Sequence, residues 1–121
     1  MPTRRYQELK VWQAAMDLAE KCHCETRSFP KEELFGLTNQ IRRAAGSIPA
    51  NIAEGQGRQS YRDFLRYLNI ARGSLNELET HLILSRRIGL METSIFERLL
   101  QSSDEISRML AGLRQALKRK L

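Results

Sequence analysis

Residues 61–88 read YRDFLRYLNIARGSLNELETHLILSRRI, and their spacing decides the fold class. Tyr61, Phe64, Leu68, Ala71, Leu75, Leu78, Leu82 and Ser85 alternate steps of three and four, and only the last is polar. Side chains so spaced share one side of an α-helix, in the alternation that helices keep when they pack at a shallow angle. The same alternation recurs on both sides of this stretch. Upstream, Leu34, Leu37, Ile41, Ala44, Ile48 and Ile52 mark one helix, and Leu9, Trp12, Met16, Ala19 and His23 mark another. Downstream, Ile95, Leu99, Ser102, Ile106, Met109, Leu113 and Leu117 mark a fourth. The helices are expected over about residues 6–26, 30–54, 61–88 and 95–118, and no strand signal competes.

The breaks carry turn chemistry. Pro30 suits a first helical turn, where its missing N–H would be unpaired anyway, and Glu32 and Glu33 suit the positive end of the helix dipole. Gly55 and Gly57 are expected to supply a left-handed residue that stops the second helix, and Gly89 to close the third. Ser60 with Asp63, and Ser94 with Glu97, have the spacing of N-terminal caps. Short connections force consecutive helices to run antiparallel. The fold class is therefore all-α, an up-down-up-down four-helix bundle forming a single domain over residues 1–121.

Length and composition narrow the function. A chain of 121 residues and 14.0 kDa builds one sizeable core without staples or metals. No apolar run approaches the roughly 18 residues of a membrane span, and residues 1–10 are too polar for a secretory leader, so the expected address is cytoplasmic. Cys22 and Cys24 are too close for a disulfide to close a useful loop, which fits a reducing compartment. Cys22, His23 and Cys24 do not converge on one metal, since successive helical residues point about 100° apart. His81 stands alone, Glu77 and Glu79 diverge, and Gly55-Gln56-Gly57 lacks the Lys-Ser/Thr of a phosphate-cradling loop. No active site, metal site or cofactor is expected.

The most unusual segment is Gln40 to Arg58, with Pro49 inside a continuing apolar pattern. Proline there removes a hydrogen bond and crowds the Ala45 carbonyl, at a cost of about 3 kcal/mol, and a kink is expected. Ala44, Ala45, Gly46 and Ala50 leave room for a close backbone, with Ser47 or Asn51 available to the freed carbonyl. One reading is a packing device; the other is a ligand-facing notch of Ser47, Pro49, Asn51, Glu54 and Gly55.

Leu9 to Leu18, Phe29 to Glu33 with Gly36-Leu37, Gln40 to Gly55, Ile70 to Leu75 and Glu77 to Thr80, in that order, closely resemble a known family. These are the bacterial four-helix-bundle proteins encoded by intervening sequences of large-subunit (23S) ribosomal RNA genes. The resemblance covers about residues 6–91, and the fourth helix matches in character. The family is similar in turn to the accessory variability proteins of diversity-generating retroelements, basic homopentameric bundles that associate with a reverse transcriptase and nucleic acid. The resemblance implies a non-enzymatic bundle, a homopentamer and a nucleic-acid or reverse-transcriptase partner.

Charge placement points the same way independently. The net charge is +6, yet residues 1–37 are neutral, whereas residues 38–72 carry Arg42, Arg43, Arg58, Arg62, Arg66 and Arg72 against Glu54 and Asp63. Arginine's planar fork suits phosphate, and Arg58, Arg62 and Arg66 step by four along one side of the third helix and its entry. With the Lys118-Arg119-Lys120 tail they form the candidate nucleic-acid surface. Tyr61 is assigned to the core. The alternatives are a solvated helix face, a protein adaptor for a reverse transcriptase, or an RNA-processing enzyme, the last disfavoured by the missing ligand cluster. Val11 with Leu18, and Ile70 with Leu84, are read as two outer apolar strips able to join neighbouring subunits in a ring.

Overall fold

The computed structural model describes residues 5–121. Its four helices are α1 (Lys10–Glu25), α2 (Leu37–Gln56), α3 (Tyr61–Arg87) and α4 (Thr93–Lys118), and the described residues contain no strand. α1 packs on α2 and α4, and α3 packs on the same two, with the α2–α3 interface the most extensive. The register across α2–α3 is fixed by close contacts: the Gly55 backbone abuts Phe64 and Tyr67, and Ser47 Oγ lies 2.9 Å from Ser74 Oγ. Across α3–α4, Asn69 Oδ1 accepts from Arg114 Nε at 2.7 Å, and Glu79 accepts from the buried Ser103 hydroxyl.

The inner stripe of α3 is buried from Leu68 through Ser85, and that of α2 from Leu37 through Ile52. Each large aliphatic side chain removed from water in this way contributes roughly 1.5–3 kcal/mol. Tyr61 departs from the expected stripe at 50% exposure, because the helix has only begun there and no element covers it from outside.

On α1 the expected stripe is displaced by one position. Val11, Ala15, Leu18 and Cys22 are buried, whereas Met16 and His23 are exposed and Leu9, Trp12 and Ala19 lie on the flank. Both series have helical spacing; the one built on Ala15 and Cys22 permits closer approach of α2 and α4. Val11 and Leu18 are therefore core residues and not an outer strip. Ile70 and Leu84 are 41% and 45% exposed, so the strip on α3 is present. On α4, Ser103 and Leu110 take the inner positions expected for Ser102 and Met109.

The termini differ in detail. Pro30 precedes a separate 3-10 turn, Lys31–Glu33, and α2 begins only at Leu37, which leaves Leu34 47% and Phe35 90% exposed. Ser60 Oγ accepts from Asp63 N at 3.1 Å, the expected cap, whereas α4 starts before Ser94 and has no side-chain cap. Gly89 has φ +83° and ends α3, as expected of a residue without Cβ. Gly57 ends α2 with φ −78°, in right-handed space, and Gly55 is buried inside that helix, so neither is a left-handed stop. α2 continues through a buried Pro49.

Candidate nucleic-acid interface

The arginines do not form one face. Arg42 is half-buried: its Nε donates to Thr26 Oγ1 at 3.0 Å and a terminal nitrogen donates to the His23 carbonyl at 3.3 Å. It ties α2 to the last turn of α1, where carbonyls lack helical partners. Arg43 is exposed beside a shallow hollow of about 250 Å³ lined by Gln40, Ala44, Ser47 and Glu77. Both lie about 20 Å along α2 from its end, at a rise of 1.5 Å per residue. Arg72 is exposed, but the helical turn sets it about 120° around α3 from Arg66.

The remaining candidate cations gather at one end of the bundle. Arg58 follows α2, and a terminal nitrogen lies 3.0 Å from Glu54 Oε2 and donates to the Tyr67 hydroxyl at 2.6 Å. The Arg58 and Arg66 guanidiniums stand over the Tyr67 ring, 4.9 and 4.6 Å from its centroid, where the ring's negative face attracts them. Tyr67 is itself held from behind, since its Cβ lies where a side chain on Gly55 would have to go. Arg62 is exposed one turn before Arg66.

The tail of α4 returns to this end, with Lys120 Nζ 5.5 Å from the Tyr61 ring centroid. Arg58, Arg62, Arg66, Lys118, Arg119 and Lys120 thus share one end against Glu54 and Asp63. The chain order of the arginines suggested a surface running along the bundle; the folded arrangement divides them, and the register of α3 with α4 supplies the lysines. Tyr61 and Tyr67 belong to this end, each one residue from an arginine, and the expected core role of Tyr61 does not hold, since it is half exposed.

The notch residues divide too. Asn51 Nδ2 donates to the Ser47 carbonyl at 2.8 Å and to Ser47 Oγ at 2.9 Å, so Ser47, Asn51 and Ser74 form a polar bridge across α2–α3. The carbonyl used is that of Ser47 and not the one freed at Ala45. Pro49 is buried, Gly55 is filled by α3, and Glu54 lies toward Arg58. Elsewhere, Cys22 is buried and Cys24 exposed. Burial, reinforced by the Glu25 charge, pushes the Cys22 thiol up to about 12. His81 Nε2 lies 3.5 Å from Glu77 Oε2 on the same helix. The described residues contain no group of three His, Cys, Asp or Glu placed to hold a metal ion, and no helix long and apolar enough to cross a membrane.

Residues 7–112 match the family model described as 23S rRNA-intervening sequence protein. The chain belongs to that family. The match runs well into α4, beyond residue 91, where the motifs that carry the resemblance end. A solved structure of a protein of unknown function from the S23 ribosomal protein family of Bacteroides thetaiotaomicron is similar, with TM-score 0.78 and 29% identity. The alignment covers 86% of this chain and 97% of that one. No curated protein matches significantly. Membership in the intervening-sequence family thus agrees with the four-helix architecture and leaves the biochemical role to the residues themselves.

Proposed function

We propose that this intervening-sequence protein is a non-enzymatic nucleic-acid-binding bundle that neutralises phosphates at its arginine- and lysine-rich end. The observation that carries the reading is the convergence of Arg58, Arg62 and Arg66 with the Lys118-Arg119-Lys120 tail beside Glu54 and Asp63. Two of those arginines are held over Tyr67, so their ordering entropy is already spent before a ligand arrives. Binding of this kind is tolerant of sequence, because phosphates carry no sequence information. Arg43 and Arg72 add long-range attraction, and Arg42 serves the fold.

The reading includes an up-down-up-down antiparallel arrangement and a cyclic homo-oligomer in the cytoplasm, with five subunits implied by the family resemblance. The exposed Ile70 and Leu84 support a subunit contact. No cofactor is required. The rival reading is an adaptor for a reverse transcriptase, in which nucleic acid arrives only through the partner. Titrating the purified protein, without any partner, into a labelled mixed-sequence RNA separates the two. Binding in low salt is the expected result; its absence at tens of micromolar protein favours the adaptor.

A further inference from the structure

We propose that the basic end selects single-stranded over duplex polynucleotide, with Tyr61 as the ring on which an unpaired base stacks. This rests on the nucleic-acid reading above and assigns the form of ligand that the same end takes. The two tyrosines there are in different states. Tyr67 is committed to the fold: its hydroxyl accepts from Arg58, two guanidiniums lie over its ring, and its Cβ is packed on the Gly55 backbone. Tyr61 is half exposed, and among the described residues the Lys120 ammonium stands over its ring.

The backbone that carries Tyr61 is held in place. It is the first residue of α3, directly after Ser60, whose hydroxyl caps the helix through Asp63 N. A ring carried on the capped start of a helix, open to solvent and next to Arg62 and Lys120, combines a stacking platform with backbone-binding cations. In a duplex the base faces are stacked on one another, so the ring gains nothing and only phosphate contacts remain. In a single strand a base face is free to meet it. Stacking of this kind is sequence-tolerant, since every base has a π-face.

The test uses the full chain and two probes, a fluorescein-labelled 20-nucleotide RNA without self-complementarity and the same strand annealed to its complement. The expected result is tighter binding of the single strand. Tyr61→Leu should weaken that binding about tenfold and leave the duplex unaffected, while Tyr61→Phe should retain the preference, as expected if the ring itself stacks. Circular dichroism melts check that both variants stay folded. Equal affinity for the two probes, or a Tyr61→Leu variant that binds the single strand as wild type does, overturns the stacking role and leaves the phosphate reading standing. Failure to bind either probe overturns both.

Discussion

Arg42 and Arg58 are the same residue type on one helix and its exit, and their surroundings differ: Arg42 is half-buried, whereas Arg58 is exposed beside Glu54 and Tyr67. Arg42 spends its donors on Thr26 and the His23 carbonyl. Removing it deletes two side-chain hydrogen bonds that tie α2 to the end of α1, so Arg42→Ala should lower stability by about 1–2 kcal/mol while RNA affinity changes less than about twofold. Denaturant unfolding and an RNA titration on the same variant check both halves. Cys22 makes a second prediction. Its thiol, ordinarily near 9.0, is raised to about 12, so the fold favours the neutral form. That stability is complete below pH 9 and drains away as the pH climbs toward 12, at up to about 1.4 kcal/mol per unit. Measured by urea unfolding, the advantage of wild type over Cys22→Ala should therefore shrink between pH 8.5 and 10.5; a constant gap contradicts the assignment. In the folded protein at pH 8, iodoacetamide should label Cys24 and spare Cys22.

At the scale of elements, α3 was readable because its stripe is long, uninterrupted and made of large residues. On α1 the spacing is ambiguous by one position, since Leu9-Trp12-Met16 and Val11-Ala15-Leu18-Cys22 both have helical spacing and only packing against α2 and α4 distinguishes them. Val11→Asp should consequently abolish cooperative melting, whereas Met16→Asp should cost less than about 1 kcal/mol. The start of α2 differs from its expected place for another reason: Pro30, Glu32 and Glu33 suit a helical first turn, but the chain makes a 3-10 turn there instead. Glycine gives the sharpest contrast within one helix. A Cβ on Gly55 would meet Tyr67 Cβ at 2.7 Å and Phe64 Cδ1 at 2.9 Å, while one on Gly46 meets nothing within 4 Å. Gly55→Ala should destabilise the bundle by about 1–3 kcal/mol, and Gly46→Ala should stabilise it by up to about 1 kcal/mol. Thermal melts of the pair check the α2–α3 packing.

For the whole molecule, the decisive feature is that charge is grouped by end and not by helix. Sequence showed which residues were basic and that arginine predominated between 38 and 72. It did not show that the α4 tail returns beside the start of α3, or that Tyr67 holds Arg58 and Arg66 together, because both depend on tertiary register. The central claim is that this end binds nucleic acid by neutralising phosphates. Each phosphate contact on a single strand contributes about 0.7 to the negative slope of log affinity against log salt. The most direct test is the affinity for a mixed-sequence single-stranded RNA at several salt concentrations, for wild type and for Arg58, Arg62 and Arg66 changed together to Gln. The triple variant should keep its helicity and oligomer size, bind more weakly and flatten the slope by about 2 per subunit; superimposable curves for the two proteins would contradict the assignment of this end as the nucleic-acid interface.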